Sequence, residues 1–379
     1  MVAGTGHVVV AMSGGVDSSV AAALLVEAGY RVTGVMMRLW AEDTPNTATP
    51  GPAGAENRCC TDEAVNEARR VASLLGIPFR LVDYEDAFKA CVVDYFVAEY
   101  GRGRTPNPCL ACNRHLRFGR LLAHARQMGA DYLATGHYAR VDRPDGSGDG
   151  RYRLRMGVDP NKDQSYVLYV LGQEALRHVL FPLGAYTKPQ VRELARRHSL
   201  PVADREESME LCFVGDDDYR GFLRRHAPQV VEPGPILDSA GRVIGRHRGL
   251  PFYTVGQRRG LGIAAAEPLY VIRLDVERNA LVVGPAGELG RRRLTASEVH
   301  YVAGQAPPGP VRVQAKIRYR ATLAEATWTP LEGARAAVEF DRPLRDITPG
   351  QAVVAYEGDE VVGGGLIEGG PSEGGPIRG

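Results

Sequence analysis

The chain is apolar from Val8 to Met12, breaks at Ser13, Gly14 and Gly15, and then places Val20, Ala23, Leu24 and Ala28 at helical spacing before Gly29. A short continuous apolar run predicts a strand buried on both faces (residues 7–12), and the spacing after the break predicts a helix over residues 16–29. The alternation continues. Residues 31–37 read as a strand. Thr61 opens a helix with Asp62 and Glu63 in its first turn and an apolar stripe of Val65, Ala68, Val71, Ala72 and Leu75 that stops at Gly76. Strands are predicted over 79–82 and 132–135, and helices over 88–100, 117–128 and 188–200, the last followed by Pro201. Residues 41–57, rich in Pro, Gly, Thr and Ala without periodicity, read as a mobile loop. Residues 145–150 read as the turn of a hairpin between 139–141 and 152–155. Strands alternating with helices imply an α/β fold, a doubly wound parallel-sheet nucleotide-binding domain.

After residue 215 the pattern changes to a period of two, with Pro and Gly at short intervals. Strands are predicted over 269–274, 280–283, 311–317, 336–340 and 351–356. The expected organisation is a catalytic domain over residues 1–215, a small β-rich central domain over 216–292 and a C-terminal β-barrel over 293–368. A disordered tail is expected over 369–379.

Composition narrows the class. A chain of 379 residues, 44% hydrophobic and 24% charged, fits a soluble multidomain protein. It has no apolar run long enough to cross a bilayer, and residues 1–6 are too few for a leader, so a cytoplasmic protein is expected. The net charge of +1 excludes a polycation, so any nucleic-acid binding must rest on local patches. Arg102 with Arg104, residues 291–293, and Arg318 with Arg320 are such clusters, although each alone reads as a solvated face. The six cysteines, Cys59, Cys60, Cys91, Cys109, Cys112 and Cys212, are too few for a disulfide framework and read as buried thiols, metal ligands or catalytic thiols.

The strongest chemical signal is the segment Ser13-Gly14-Gly15-Val16-Asp17-Ser18-Ser19 between strand and helix. Its glycines permit a sharp turn with exposed N–H groups, the helix N-terminus attracts anions, and the serines add hydroxyls. It lacks the lysine of a Walker loop and the spacing of a dinucleotide fingerprint. It resembles the pyrophosphate loop of the ATP pyrophosphatase superfamily, which implies ATP bound by Ala11, Met12, Ser13, Gly14, Gly15, Val16, Asp17 and Ser18, with Met37 beside the adenine. Asp17 either orients a Mg2+ ion or simply suits the helix dipole.

A second cluster is Arg102-Gly103-Arg104-Thr105-Pro106-Asn107-Pro108-Cys109-Leu110-Ala111-Cys112-Asn113, read as a stiff extended loop that ends where a helix starts. Cys112 then lies near a helix N-terminus beside Arg114 and His115, a setting that favours thiolate. Cys212, among apolar neighbours, reads on its own as a core cysteine. Cys91 reads as core, and Cys59 with Cys60 as residues capping a helix. Lys162 and Asp163 read as a polar break before a helical run.

Taken together, SGGVDSS, RTPNPCLACN, ATGHYAR, NKDQSYVLY, LCFVG, GQRRGLG, KIRYR and TPGQ occur in an order that resembles the tRNA-specific 2-thiouridylase family, from about residue 7 to 367. The resemblance implies adenylation of the C2 oxygen of the tRNA wobble uridine and its replacement by sulfur. Cys212 would carry a persulfide received from a cysteine desulfurase or a sulfur-relay protein. Cys112 would be the nucleophile and would form a transient disulfide with Cys212. Gly136 would touch ATP. Asn107, Pro108 and Cys109 would line the base, while His137, Lys162, Asp163, Gln164, Arg318, Tyr319 and Gln351 would contact tRNA. A monomer is expected.

The chain departs from many members of the family at Cys109, where they carry Asp. Cys109, Cys112 and Cys212 together could hold a [4Fe-4S] cluster with one open iron, so persulfide and iron-bound sulfide compete as sulfur carriers. Two other classes share parts of the pattern. An ATP pyrophosphatase activating a small-molecule carbonyl, such as an amide-forming synthetase, needs the loop but not the paired cysteines. A non-catalytic RNA-binding module needs neither.

Overall fold

Five strands, β1 (His7–Met12), β2 (Arg31–Arg38), β3 (Phe79–Asp83), β4 (Tyr132–Ala134) and β7 (Val179–Leu180), form a parallel sheet in the order β3-β2-β1-β4-β7. The computed structural model describes residues 5–42, 61–144, 150–205, 211–214 and 218–368. Most of the 41–57 loop, Cys59, Cys60, the 145–149 turn, residue 215 and the 369–379 tail lie outside them.

The described residues divide into two compact units. The first comprises residues 1–94, 108–219 and 359–361. Val8, Val9 and Val10 of β1 are fully buried, as an apolar strand inserted between β2 and β4 must be. Helix α1 (Val16–Glu27) is buried over most of its surface. Helix α2 (Asp62–Leu74) is strongly two-sided, burying Ala64, Val65, Ala68, Val71 and Ala72. The Thr61 hydroxyl accepts the Ala64 N–H at 3.0 Å and caps α2. The hairpin of β5 (Ala139–Asp142) and β6 (Arg153–Met156) is antiparallel, and Glu360 pairs with Arg155. Arg155 and Arg140 both bind Asp359, and these contacts hold the Asp359 carboxylate below the ordinary range although burial pushes it up.

The second unit comprises, among the described residues, 95–107, 220–358 and 362–368. A four-stranded sheet orders β10 (Tyr270–Asp275), β11 (Ala280–Gly284), β8 (Gly234–Leu237) and β9 (Val243–His247). Six further strands follow. They are β12 (Arg291–Tyr301), β13 (Val311–Lys316), β14 (Ala324–Leu331), β15 (Arg335–Leu344), β16 (Ala352–Glu357) and β17 (Glu360–Ile367), in the order β12-β15-β14-β13-β16-β17. β17 pairs back onto β12, Ala296 opposite Ile367, and closes a barrel without an open edge. Alternate residues of β14 and β15 point inward, so Trp328, Val338 and Phe340 fill the barrel. The Trp328 indole N–H donates to the Tyr301 hydroxyl at 3.1 Å.

Two readings from sequence are corrected. The apolar run after Asp163 is only one short 3-10 turn, Ser165–Val167, with the Asp163 carboxylate taking the N–H groups of Gly157 and Ser165 at its start. The 108–112 segment is not an extended loop, because a helix starts at Pro108 and continues through Leu121 with wider turns from Cys112 on. Proline has no N–H to lose at the first helical position, so Pro108 opens the helix rather than delaying it. No helix among the described residues is long and apolar enough to cross a membrane.

Candidate active site

β1 ends at Met12 and α1 begins at Val16, so three residues carry the chain from sheet to helix. Gly14 has φ +69°, and a Cβ there would lie 2.4 Å from the Ala64 carbonyl oxygen. Only glycine fits that turn. Gly15 precedes α1 in an extended conformation with no side-chain cap, which leaves the first N–H groups of the helix for an anionic ligand. Ser18 Oγ accepts the Ser13 N–H at 3.1 Å, and Ser19 Oγ donates to the Gly15 carbonyl at 2.8 Å. Arg205 donates to the Gly14 carbonyl at 2.9 Å.

The sheet places this loop at a reversal of strand order, since β2 and β3 lie on one side of β1 while β4 and β7 lie on the other. Such switch points open a crevice at the carboxyl ends of the strands. Met37 is buried near the end of β2, and Gly136 follows β4. A Cβ on Gly136 would come within 2.9 Å of the Ser18 backbone nitrogen. Its bare Cα therefore lets the β4 turn rest on the first turn of α1.

Asp17 has an unexpected environment. Lys188 Nζ lies 2.7 Å from Asp17 Oδ1 and 2.9 Å from Oδ2, and the Tyr138 hydroxyl donates to Oδ1 at 2.8 Å. Lys188 is only 8% exposed and opens the helix Lys188–Arg197, while its own N–H donates to Asp159 at 2.9 Å. Sequence reasoning missed it, although a signal was present. A lysine at a helix start opposes the dipole and calls for a carboxylate. Both oxygens of Asp17 are thus engaged within the protein.

The thiols lie in this same unit. Cys109 is exposed, and Cys112, three residues on, is buried at 9%. The neighbouring Asn113 is fixed by its amide, which donates to the Val167 carbonyl at 2.9 Å. Cys212 is half-buried between Leu211 and the fully buried Phe213. The Phe213 ring packs edge-on to Phe88 at 6.0 Å, on the Glu85–Phe88 turn that touches the Cys112–Leu121 helix. The segment carrying Cys212 thus packs on a turn that itself touches the helix carrying Cys112. No three His, Cys, Asp or Glu side chains among the described residues gather closely enough to hold a metal ion. The trio Cys109, Cys112 and Cys212, as placed, does not fit an iron–sulfur cluster.

The expected RNA contacts separate. In the first unit, Gln164 accepts the Tyr138 N–H at 3.0 Å, and Lys162 is half-buried beside the buried Asp163. His137 is buried between Phe118 and Phe181, with its Nδ1 2.7 Å from the Thr135 hydroxyl. Burial first, and the Arg117 charge second, push its pKa down to about 3. The folded state therefore excludes a proton that the unfolded chain binds below about pH 6.5. Stability is fully present above that pH and falls as pH drops toward 3, by roughly 1.4 kcal/mol per pH unit at most. Denaturant midpoints at pH 7.0, 5.5 and 4.5 should fall more steeply for the parent than for His137→Gln.

In the second unit, the Gln351 amide donates to the Thr105 carbonyl at 2.8 Å, and the Pro349 carbonyl accepts the Thr105 N–H at 2.9 Å. The TPGQ turn thus grips the backbone just before Asn107. Arg102 and Arg104 both bind the buried Glu99 carboxylate, at 2.8 and 3.4 Å. Arg318 is paired with Asp346 at 2.5 Å, and Arg293 with Glu339 at 3.1 Å. These clusters are partly satisfied within the protein. Tyr319 follows Arg318 after β13.

Three family models cover the chain. They are a tRNA methyl transferase HUP domain over residues 6–216, a tRNA methyl transferase PRC-barrel domain over 220–285 and an aminomethyltransferase beta-barrel domain over 291–367. The chain is 57% identical to the tRNA-specific 2-thiouridylase MnmA of Moorella thermoacetica over 95% of this chain and 98% of the relative. It is 50% identical to that of Roseiflexus castenholzii over the same shares. Among solved structures, the U34-tRNA thiolase NcsA from Methanococcus maripaludis with its [4Fe-4S] cluster overlays at a TM-score of 0.32 and 20% identity. That match covers 59% of this chain and 66% of that one, a likeness too low to bear on chemistry.

Proposed function

From its membership of the tRNA-specific 2-thiouridylase family, to which this chain belongs, we propose that it is an ATP-dependent tRNA sulfurtransferase that converts the wobble uridine to 2-thiouridine. The observation that carries this reading is the pairing of a phosphate-binding turn with two cysteine segments in one folded unit. ATP sits with its phosphates on residues 13–18 and its base toward Met37. The uridine O2 attacks the α-phosphorus, the O–P bond forms, and pyrophosphate leaves. An unactivated carbonyl oxygen is a poor leaving group, whereas AMP is a good one.

Sulfur then arrives on Cys212 as a persulfide. Its terminal sulfur bonds to C2 of the base, and the C2–O bond breaks to release AMP. The Cys112 thiolate attacks the inner sulfur of Cys212, the S–S bond to the transferred sulfur breaks, and a Cys112–Cys212 disulfide remains. Two external thiols, or one dithiol, supply the two electrons that reopen it and leave as a disulfide. The base is presented on Asn107, Pro108 and Cys109 after leaving its stack. Lys162, Gln164, Arg318, Tyr319 and Gln351 support the tRNA, and His137 and Asp163 shape the turns around them. The sulfur comes from a cysteine desulfurase or a relay protein.

The test is the nucleotide product. ATP should be cleaved to AMP and pyrophosphate only when unmodified tRNA is present. Cleavage at the same rate without tRNA would support instead a synthetase acting on a small-molecule carbonyl.

A further inference from the structure

In the second unit, four arginines surround one concavity of about 400 Å3 that no step above uses. Arg220 and Arg224 lie four residues apart on the helix Tyr219–His226 and so share one face. Arg246, near the end of β9, and Arg248 just beyond it alternate with the buried His247, which puts both on the outer side. All four are exposed, and among the described residues no Asp or Glu lines the hollow.

What holds these side chains matters. The Arg220 and Arg224 guanidiniums stand 5.8 and 4.8 Å from the centre of the Phe252 ring, and Arg220 also donates to the Phe252 carbonyl at 3.2 Å. A ring face orients the Arg224 guanidinium without cancelling its charge. Other arginines of this unit are neutralised, Arg242 by Asp238, Arg312 by Asp341 and Arg335 by Glu368. Among the described residues, Arg224, Arg246 and Arg248 form no ion pair. Gly262 lines the remaining side, where a Cβ would meet nothing within 4 Å. Among the described residues the hollow is therefore open, concave and lined by arginines without a carboxylate, in a chain whose net charge is only +1.

We propose that this arginine pocket binds the phosphodiester backbone of the tRNA, away from the reacting base. The inference rests on the reading of tRNA as substrate. Guanidinium forks match phosphate oxygens in pairs, and a carboxylate-free hollow suits a polyanion that displaces counterions as it docks. Such contacts add affinity without reading sequence.

The test is tRNA binding by anisotropy from 50 to 300 mM salt, with the parent, the triple variant Arg224→Gln/Arg246→Gln/Arg248→Gln, and Arg242→Gln, from the turn just before β9, as a control. The triple variant should bind at least 10-fold more weakly at low salt. Its slope of log affinity against log salt should flatten by about 0.7–0.9 for each phosphate that the variant no longer neutralises. KM for tRNA should rise while kcat at saturating tRNA holds, and Arg242→Gln should match the parent. An unchanged affinity and slope would overturn the proposal, as would slower sulfur delivery from a donor protein with tRNA binding intact. Inorganic triphosphate at equal charge concentration should displace tRNA poorly, and efficient displacement would mark a free-anion site and contradict it. A parent protein that binds tRNA through these arginines yet makes no 2-thiouridine would refute the proposed function and leave the pocket standing.

Discussion

Cys212→Ser is expected to abolish 2-thiouridine formation, by at least about 10³-fold, while tRNA-dependent release of AMP and pyrophosphate remains measurable. The two half-reactions use different parts of one unit. Adenylation needs the turn at residues 13–18, held by the glycine geometry and by the serine and arginine contacts around it. Sulfur delivery needs a side chain that can form and break an S–S bond, which a serine hydroxyl cannot do. The substitution removes little packing, because Phe213 and Val214 anchor the segment. Cys112→Ser should also stop turnover, but the protein should still accept labelled sulfur on Cys212. Loss of AMP release in Cys212→Ser would show that the residue belongs to adenylation and would overturn the assignment of roles.

Lys188→Met is expected to slow ATP cleavage by roughly 30- to 150-fold, the loss of about 2–3 kcal/mol for a charge-assisted hydrogen bond. Methionine keeps most of the length of the buried stem, so the main change is that the ammonium no longer bridges Asp17 Oδ1 and Oδ2. Asp17 sits in the first turn of α1, directly under the phosphate turn, and Tyr138 alone would then hold it. Asp17→Asn should give a similar defect. The double variant Asp17→Asn/Lys188→Met should be much less impaired than the product of the two, because each single change already breaks the same pair. Strict additivity of the two defects would show that lysine and aspartate act separately. Pre-steady-state AMP release, which reads adenylation apart from sulfur transfer, is the appropriate measurement.

Several parts of this architecture were legible because they are local. The run Val8–Met12, the three-residue break and the helical spacing after it lie within about twenty residues, and the structure places β1 and α1 there. The alternation of strands and helices before residue 215 and the period-two pattern after it implied a parallel sheet followed by a β-barrel, as found. The helix start at Pro108 was misjudged because two prolines around Asn107 suggested extended chain, while the second one serves as the first residue of a helix. The Asp17–Lys188 pair spans 171 residues, and the closure of the barrel joins Ala296 to Ile367. No periodicity connects such distant positions. The arginine pocket was not legible either, since its four arginines come from a helix and from the end of a strand that only the fold brings together.

The most direct measurement of the central claim is nucleoside analysis of unmodified tRNA after incubation with the protein, ATP, magnesium and a persulfide or sulfide donor. The account predicts 2-thiouridine at the wobble position, with one AMP released per thiolated tRNA and none formed when ATP is omitted. Absence of 2-thiouridine in both aerobic and anaerobic reactions, with intact tRNA binding, would contradict it.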